Sequence, residues 1–481
     1  MNKSMIRYII GWILNVEAAF MILPVIIAII YKETSGFAFI KAIIICWAIG
    51  IPATLHKPKN RAFYAKEGLV TVALSWIVLS LAGALPFLLS KEIPHFADAI
   101  FEIVSGFTTT GASILTDVEA LSKSIIFWRS FTHWIGGMGV LVFILAILPM
   151  AGGHSMHLMR AESPGFQVGK LVPRLKTTAM ILYTIYFGMT VVQVVLLLLG
   201  GMHWFDALTI TFGTAGTGGF AVKNASMAAY PSYYLQTVTT IFMILFGVNF
   251  NVYYLFLIRK PKAALLCEEA RWYLIIIASA IVAIALNING AGIFSLFDAF
   301  HHAAFQVASI ITTTGFATAD FNQWPIFSKT ILVLLMFVGA CAGSTGGGIK
   351  VSRIVIMMKQ LGKEIRYAID NRSIKVLRFE GKKLENDSLH SINLFLIAYF
   401  LIFAVSSLLV SLDNFDMTTN FTAIATTINN VGPGLEMVGP TGNFSAYSDL
   451  SKFTMSFNML AGRLELFPML ILFMPGTWRR S

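Results

Sequence analysis

Four short stretches of this 481-residue chain share one chemistry: Thr108-Thr109-Thr110-Gly111, Thr217-Gly218-Gly219-Phe220, Thr313-Thr314-Gly315-Phe316 and Asn430-Val431-Gly432-Pro433. Each places a glycine beside residues that offer backbone carbonyls, and Thr109, Thr110, Thr313 and Thr314 add hydroxyls. Glycine admits positive φ and carries no side chain to block a ligand. Oxygens presented this way replace the water around a cation. A lone Thr-Gly pair marks many turns, but four copies about a hundred residues apart, each between two apolar runs, form an internal repeat. One such loop is a dead end, whereas four around an axis make rings of carbonyls that pass a dehydrated cation. At the glycine of each stretch stand the pairs Thr110 and Gly111, Gly218 and Gly219, Thr314 and Gly315, and Val431 and Gly432. Thr109, Thr217, Thr313 and Asn430 are the candidate supports behind them.

These loops need a scaffold, and composition says which kind. The chain is 57% hydrophobic and 12% charged, with mean hydropathy +0.75, against about 25% charged in a soluble domain. Its continuous apolar runs mostly exceed the ~20 residues that cross a bilayer, so the spans are helical. The expected fold is an all-α integral membrane protein with ten transmembrane helices and four re-entrant pore helices. An N-terminal helix pair (1–56) precedes four fused membrane–pore–membrane units around one central pore, at 57–152, 153–262, 263–362 and 363–481. The pair comprises spans 5–31 and 36–55. The half-spans are expected at 97–107, 204–214, 296–311 and 416–428, and the inward spans after them at 122–149, 230–257, 325–358 and 447–475. Asp98, Asp206, Asp298 and Asp416 open the half-spans and are expected as N-caps. At ~11–15 residues these helices are too short to cross. Entering from outside and stopping halfway, each points its partly negative C-terminal end at the membrane centre.

The net charge of +11 reflects topology rather than nucleic-acid binding. Of 35 Lys and Arg, 26 lie at Lys3 and Arg7, in 56–66, 153–177, 258–271 and 350–383, and at Arg479 and Arg480. The positive-inside rule makes these segments, and both termini, cytoplasmic. Acids such as Asp117, Glu119, Asp320, Asp413, Asp416, Glu436 and Asp449 fall on the opposite face, where they modestly concentrate cations. Cys46, Cys267 and Cys341 lie far apart and suggest neither a disulfide framework nor a zinc site. The apolar stretch Ile9 to Tyr31 is too long for a signal sequence and reads as a retained span. No cluster of carboxylates or histidines suggests an enzyme. No nucleotide motif is present, so the expected cofactor is none, the cation being cargo.

Two features break the fourfold pattern inside the membrane. The third inward span contains Gly339-Ala340-Cys341-Ala342-Gly343-Ser344-Thr345-Gly346-Gly347-Gly348-Ile349-Lys350. Glycine costs roughly 1 kcal/mol per residue in a helix, so this segment reads as unwound backbone below the loops, a gate that includes Gly343, Gly346, Gly347, Gly348 and Lys350. The alternative is close helix packing through a Gly339/Gly343 GxxxG pair. Arg463 lies near mid-membrane, where a cation is costly without water or a partner. It reads as a barrier or gating charge, or else as the partner of Glu465. Glu17 in the first span answers a neighbouring helix, and the adjacent His301 and His302 point apart rather than at one metal.

At Ile311–Phe316, Gly339–Arg353 and Asn429–Leu435 the chain resembles the Trk/Ktr/HKT superfamily of K⁺ transporters, and the likeness runs its whole length. That resemblance implies K⁺ and Rb⁺ uptake across the bacterial inner membrane, with ion contacts at the four pairs named above. It further implies a homodimer with a pore in each subunit, a gate at 339–350 with Arg463 beside it, and a cytosolic nucleotide-binding ring resembling TrkA. The basic segment 350–383 contacts such a ring or is simply solvated. One filter glycine per unit, against two in TVGYG, implies K⁺/Na⁺ discrimination of lower stringency. Relatives with reduced K⁺ preference carry Ser at the first filter glycine, and Gly111 argues against that here. Glu436 departs from the family's usual glycine and leaves the shape of that loop open. A symporter, H⁺- or Na⁺-coupled through the same filter, is the alternative.

Overall fold

The computed structural model describes residues 1–56, 58, 64–139, 175–370 and 376–478. The described residues are helical or irregular apart from one hairpin, β1 (Arg378–Phe379) paired antiparallel with β2 (Lys382–Lys383). Among the described residues, six helical spans are long and apolar enough to cross a membrane, and a bent pair makes up to seven.

The N-terminal pair consists of α1 (Lys3–Phe20) with α2 (Ile22–Tyr31), and α3 (Gly36–Leu55). The expected single span 5–31 is present as Lys3–Tyr31, interrupted at the one residue Met21, three residues before Pro24, which has no N–H to donate a helical hydrogen bond. α1 packs closely along α3, where Gly11 and Gly50 leave no room for a Cβ. Glu17 is buried, and neither carboxylate oxygen has a hydrogen-bond partner among the described residues. No polar group among the described residues therefore answers it, and a Cβ built on Gly83 would lie 3.0 Å from its Oε1.

Each unit then repeats a first helix, a half-helix and a second helix. Unit one uses α4 (Ala65–Gly83) and α5 (Leu85–Ser90), α6 (Phe96–Phe107) and α7 (Lys123–Gly137). Unit two uses α8 (Leu175–Leu199), α9 (Trp204–Gly216), α10 (Tyr233–Phe246) and α11 (Phe250–Leu257). Unit three uses α12 (Glu268–Gly290), α13 (Leu296–Ile311), α14 (Ile326–Val338) and α15 (Val351–Ile369). Unit four uses α16 (Asn386–Val410), α17 (Met417–Asn429), α18 (Asp449–Arg463) and the short α19 (Phe467–Leu470). The half-helices α6, α9, α13 and α17 have 12, 13, 16 and 13 residues. The unit boundaries at 57 and 152–153 and most of the basic segment 153–177 lie outside the described residues.

The second helices depart from the sequence expectation. α10, α14 and α18 run only 14, 13 and 15 residues, about 20 Å at 1.5 Å per residue, well short of a ~30 Å core, while residues 140–149 of the expected span 122–149 lie outside the described residues. The expected continuous span 230–257 bends by 90° between α10 and α11. The expected span 447–475 stops at Arg463, where Glu465 and Leu466 turn to φ 54° and 70°. Helix interruption below the loops is thus not confined to unit three. Part of the reason is local, since Asn249 caps α11 through the Asn251 N–H (2.9 Å).

The N-cap expectation holds at one acid only. Asp416 accepts from the Thr419 N–H (2.9 Å) and caps α17. Asp98, Asp206 and Asp298 sit instead in the first turn, behind caps at His95, His203 and Ser295. There they still complement the positive end of the helix dipole. Asp416→Ala is expected to lower unfolding stability by about 1 kcal/mol, read as a reduced thermal midpoint in detergent with the helical circular-dichroism signal retained.

Candidate functional site

Each half-helix ends in the same backbone device. The chain leaves the helix through a left-handed residue, Thr109, Thr217, Thr313 or Asn430 (φ 57°, 58°, 60° and 56°). Two residues on, Gly111, Gly219, Gly315 and Gly432 take φ of 79°, 75°, 85° and 101°. Left-handed backbone is strained for a β-branched residue and open to glycine. Hydroxyl bonds hold the strained threonines: Thr109 Oγ1 donates to the Thr108 carbonyl (2.7 Å), and Thr313 Oγ1 accepts from the Gly347 N–H (2.7 Å). The expected supports are therefore the residues at which the chain turns.

The four loops meet around one axis. A Cβ built on Gly111 would lie 1.9 Å from the Gly218 carbonyl oxygen, and one on Gly219 would lie 1.9 Å from that of Thr314. A Cβ on Gly315 would lie 2.5 Å from the Val431 oxygen, and one on Gly432 would lie 2.8 Å from the Thr110 oxygen. Unit one thus faces two, two faces three, three faces four, and four faces one. All eight candidate ion-binding residues belong to this closed circuit, with the Gly111 oxygen 3.4 Å from the Gly432 Cβ position. The threonine hydroxyls are otherwise engaged: Thr110 Oγ1 lies between Thr108 Oγ1 (2.8 Å) and Asn430 Nδ2 (2.9 Å), and Thr314 Oγ1 bonds Thr312 Oγ1 (2.8 Å). The loop oxygens that these bonds leave over are backbone carbonyls.

A second circuit of hydrogen bonds ties the outer loops in the same order. Asn224 Nδ2 meets Asp117 (2.8 Å) and Lys223 Nζ meets Glu119 (2.8 Å), joining units one and two. Asn224 and Lys223 thereby hold those two carboxyls below their ordinary range. The Ala228 N–H donates to the Ala317 carbonyl (3.1 Å), Asn322 clasps Glu436, and the Phe444 N–H donates to the Ser113 carbonyl (2.9 Å). Glu436 has φ 53°, a left-handed turn that glycine adopts freely, and Asn322 Oδ1 secures it by accepting its N–H (3.0 Å). Its loop shape is thereby fixed, with the carboxylate half-exposed.

Buried charge backs the first two loops, and the sequence reading missed it. Glu102 on α6 is fully buried and accepts from Arg129 Nε (2.8 Å), Ser113 Oγ (3.0 Å) and the Ile114 N–H (3.0 Å). The Arg129 guanidinium lies 4.1 Å from the Phe220 ring centroid in the second loop. His133 Nδ1 lies 2.7 Å from the Gly106 carbonyl and Nε2 accepts from the Phe220 N–H, which fixes the neutral tautomer with its proton on Nδ1. The signal was available as three ionisable residues inside apolar runs.

Beneath the loops, segment 339–350 is non-helical. Gly339, Gly343 and Gly348 have φ of 69°, 72° and 77°, so the alternative of a GxxxG helix contact is overturned. Gly346 and Gly347 press on the loop bases, a Cβ at either meeting the Thr312 or Asn429 carbonyl oxygen at 2.9 or 2.3 Å. The Gly348 N–H donates to the Asn429 carbonyl (3.0 Å), and Lys350 Nζ donates to the Gly346 carbonyl. Arg463 reaches the Thr345 carbonyl (2.8 Å) and the Gly136 and Gly137 carbonyls at the end of α7. Glu465, the alternative partner for Arg463, forms its salt bridge with Arg353. His301 and His302 bond Gln236 (2.7 Å) and Thr318 (3.0 Å), and no group of three potential metal ligands occurs among the described residues.

Four half-helices delivering their ends to one ring of facing carbonyls define a pore-loop protein of the membrane-transport class. Comparison with known proteins gives the family. A family model described as "TrkH: Cation transport protein" matches residues 35–478. The chain is 35% identical to the Trk system potassium uptake protein TrkH of Vibrio parahaemolyticus, over 99% of both sequences. It is 36% identical to the TrkH of Salmonella typhimurium over the full length of each. The crystal structure of the potassium transporter TrkH from Vibrio parahaemolyticus superposes with TM-score 0.89 at 33% identity, covering 100% of both chains. The chain belongs to the TrkH family of cation transport proteins, which are multi-pass membrane transporters and not enzymes.

Gly219→Ala, which pushes a methyl into the Thr314 oxygen, is expected to cut cation flux at least about tenfold, whereas Gly315→Ser should raise Na⁺ permeability relative to K⁺ in flux-ratio measurements. Glu102→Leu strands a buried guanidinium and should cost about 3–5 kcal/mol, while the Glu102→Leu/Arg129→Met double substitution recovers most of the loss in thermal unfolding.

Proposed function

We propose that the chain takes up K⁺ across the bacterial inner membrane through the carbonyl ring, with the permeation path closed from the cytoplasmic side by segment 339–350 and Arg463. The observation that carries this reading is the closed order of glycine-to-carbonyl contacts from unit one to unit four. Like-oriented carbonyl dipoles brought this close repel one another, and a bare cation between them turns that repulsion into coordination. The four half-helices add their partly negative ends to the same point. Inward flow gains about 2.3 kcal/mol per charge for each 100 mV of membrane potential.

Segment 339–350 lies across the inner end of this path, bonded to Thr313 and Asn429. Arg463 holds it from the side of units one and four and adds a positive charge that a cation must pass. Opening in this reading detaches the segment and moves Arg463 away from the axis. Both termini and the basic segments face the cytoplasm, two copies associate as a homodimer, and a nucleotide-binding regulator of the TrkA kind acts on the cytoplasmic side. The names of the full-length relatives, Trk system potassium uptake proteins, support the choice of cation.

Protein in K⁺-loaded liposomes should accumulate ⁸⁶Rb⁺ down the gradient and admit Na⁺ less readily. Deleting residues 346–348 should leave the pore either leaky or locked. Unchanged flux and unchanged response to a cytosolic regulator in that deletion would sink the gate assignment.

A further inference from the structure

One buried carboxylate reaches the gate from outside the ring. Glu269 stands in the first turn of α12 and is buried. An acid there would ordinarily serve the amides of its own helix. Instead its Oε1 accepts from the Ala342 N–H (2.7 Å) and the Ser352 N–H (3.1 Å), so one oxygen joins the two flanks of the Gly343–Lys350 loop. Its Oε2 accepts from Asn249 Nδ2 (3.4 Å) at the bend between α10 and α11. The following residue, Phe250, donates its N–H to the Gly343 carbonyl (3.1 Å).

The carboxylate is itself positioned from the cytoplasmic side. Glu380, at the turn of the β1–β2 hairpin, accepts from the Glu269 N–H (3.0 Å) and from Cys267 Sγ (3.3 Å), so it caps α12 from more than a hundred residues away. In return the Glu380 N–H donates to Glu268 Oε2 (3.3 Å). Lys359 on α15 bonds Glu268, the Arg378 carbonyl (2.9 Å) and the face of Phe379. The hairpin, the start of α12 and the gate segment are thus linked in series through a single side chain.

We propose that Glu269 is a positioning residue for the gate: its carboxylate clamps segment 339–350 in the closed arrangement, and Glu380 sets the clamp from the cytoplasmic hairpin. The inference rests on the gate reading above. A shift of the hairpin displaces Glu380 from the α12 terminus, moves Glu269 and releases both amides together. Two charge-assisted hydrogen bonds are lost in one step, which makes the release switch-like rather than gradual.

The test is ⁸⁶Rb⁺ leak through full-length protein in liposomes without any regulator. Glu269→Ala should raise the leak about tenfold. Glu269→Gln should stay within about twofold of the parent, because its amide oxygen still accepts both N–H groups. The Rb⁺/Na⁺ flux ratio should be unchanged in both, since the clamp does not touch the carbonyl ring. Glu380→Ala, at an exposed position with little risk to folding, should raise the leak in the same direction. Unchanged leak in folded Glu269→Ala protein overturns the clamp, and unchanged leak in Glu380→Ala overturns the relay from the hairpin. If the 346–348 deletion alters flux while these variants do not, the gate stands and the clamp falls. If the deletion alters nothing, the gate reading itself fails.

Discussion

Everything in this fold answers one steric demand: a backbone carbonyl of each loop must pack against a glycine of the neighbouring loop, at a distance where a Cβ would not fit. The absence of a side chain at Gly111, Gly219, Gly315 and Gly432 permits the approach. It does not hold the oxygens there. That work falls to the half-helices, which are anchored at the outer surface and buried along their inner turns, and to left-handed residues at their ends. The outer loops add a belt of hydrogen bonds in the same circular order as the glycine contacts.

The belt is functionally even but chemically uneven. Units one and two are joined by side-chain charge and amide, two and three by backbone and a serine, three and four by Asn322, and four and one by a backbone bond. Behind the loops the asymmetry deepens. A buried ion pair and a neutral histidine brace the first two units, whereas unit four uses Asn430, which reaches both Thr110 and the Met459 carbonyl. Four copies of one backbone shape are therefore supported by different local solutions. The inner side is more specialised still, since among the described residues it is unit three whose non-helical segment packs against the loop bases.

What the sequence made legible was local. Glycine and threonine at fixed offsets from short apolar runs specified the turning residues, the half-helices and the unwound segment, because each depends on backbone propensity over a few residues. The breaks in the second helices of units two and four were not legible, because hydropathy runs on through them. Gly247 and Asn249 are ordinary residues in such a run, and nothing marks Glu465 and Leu466 for positive φ before their surroundings impose it. Long-range pairings were equally hidden. Glu465 lay two residues from Arg463 and invited that pairing, but its partner Arg353 is 112 residues away. Glu102, Arg129 and His133 lie inside apolar runs and Glu269 in a segment that reads as cytoplasmic, and only the folded chain shows that each meets a partner on another element.

Because the four quadrants come from one polypeptide, a single amino-acid change alters a quarter of the proposed coordination sphere. In a ring built by identical subunits the same change would be copied four times, and its effect would be close to all-or-none. The arrangement here gives evolution a finer dial. Thr110, Gly218, Thr314 and Val431 already place four different environments around equivalent oxygens. Ion preference can therefore drift by small increments in one quadrant while the other three keep the pathway intact.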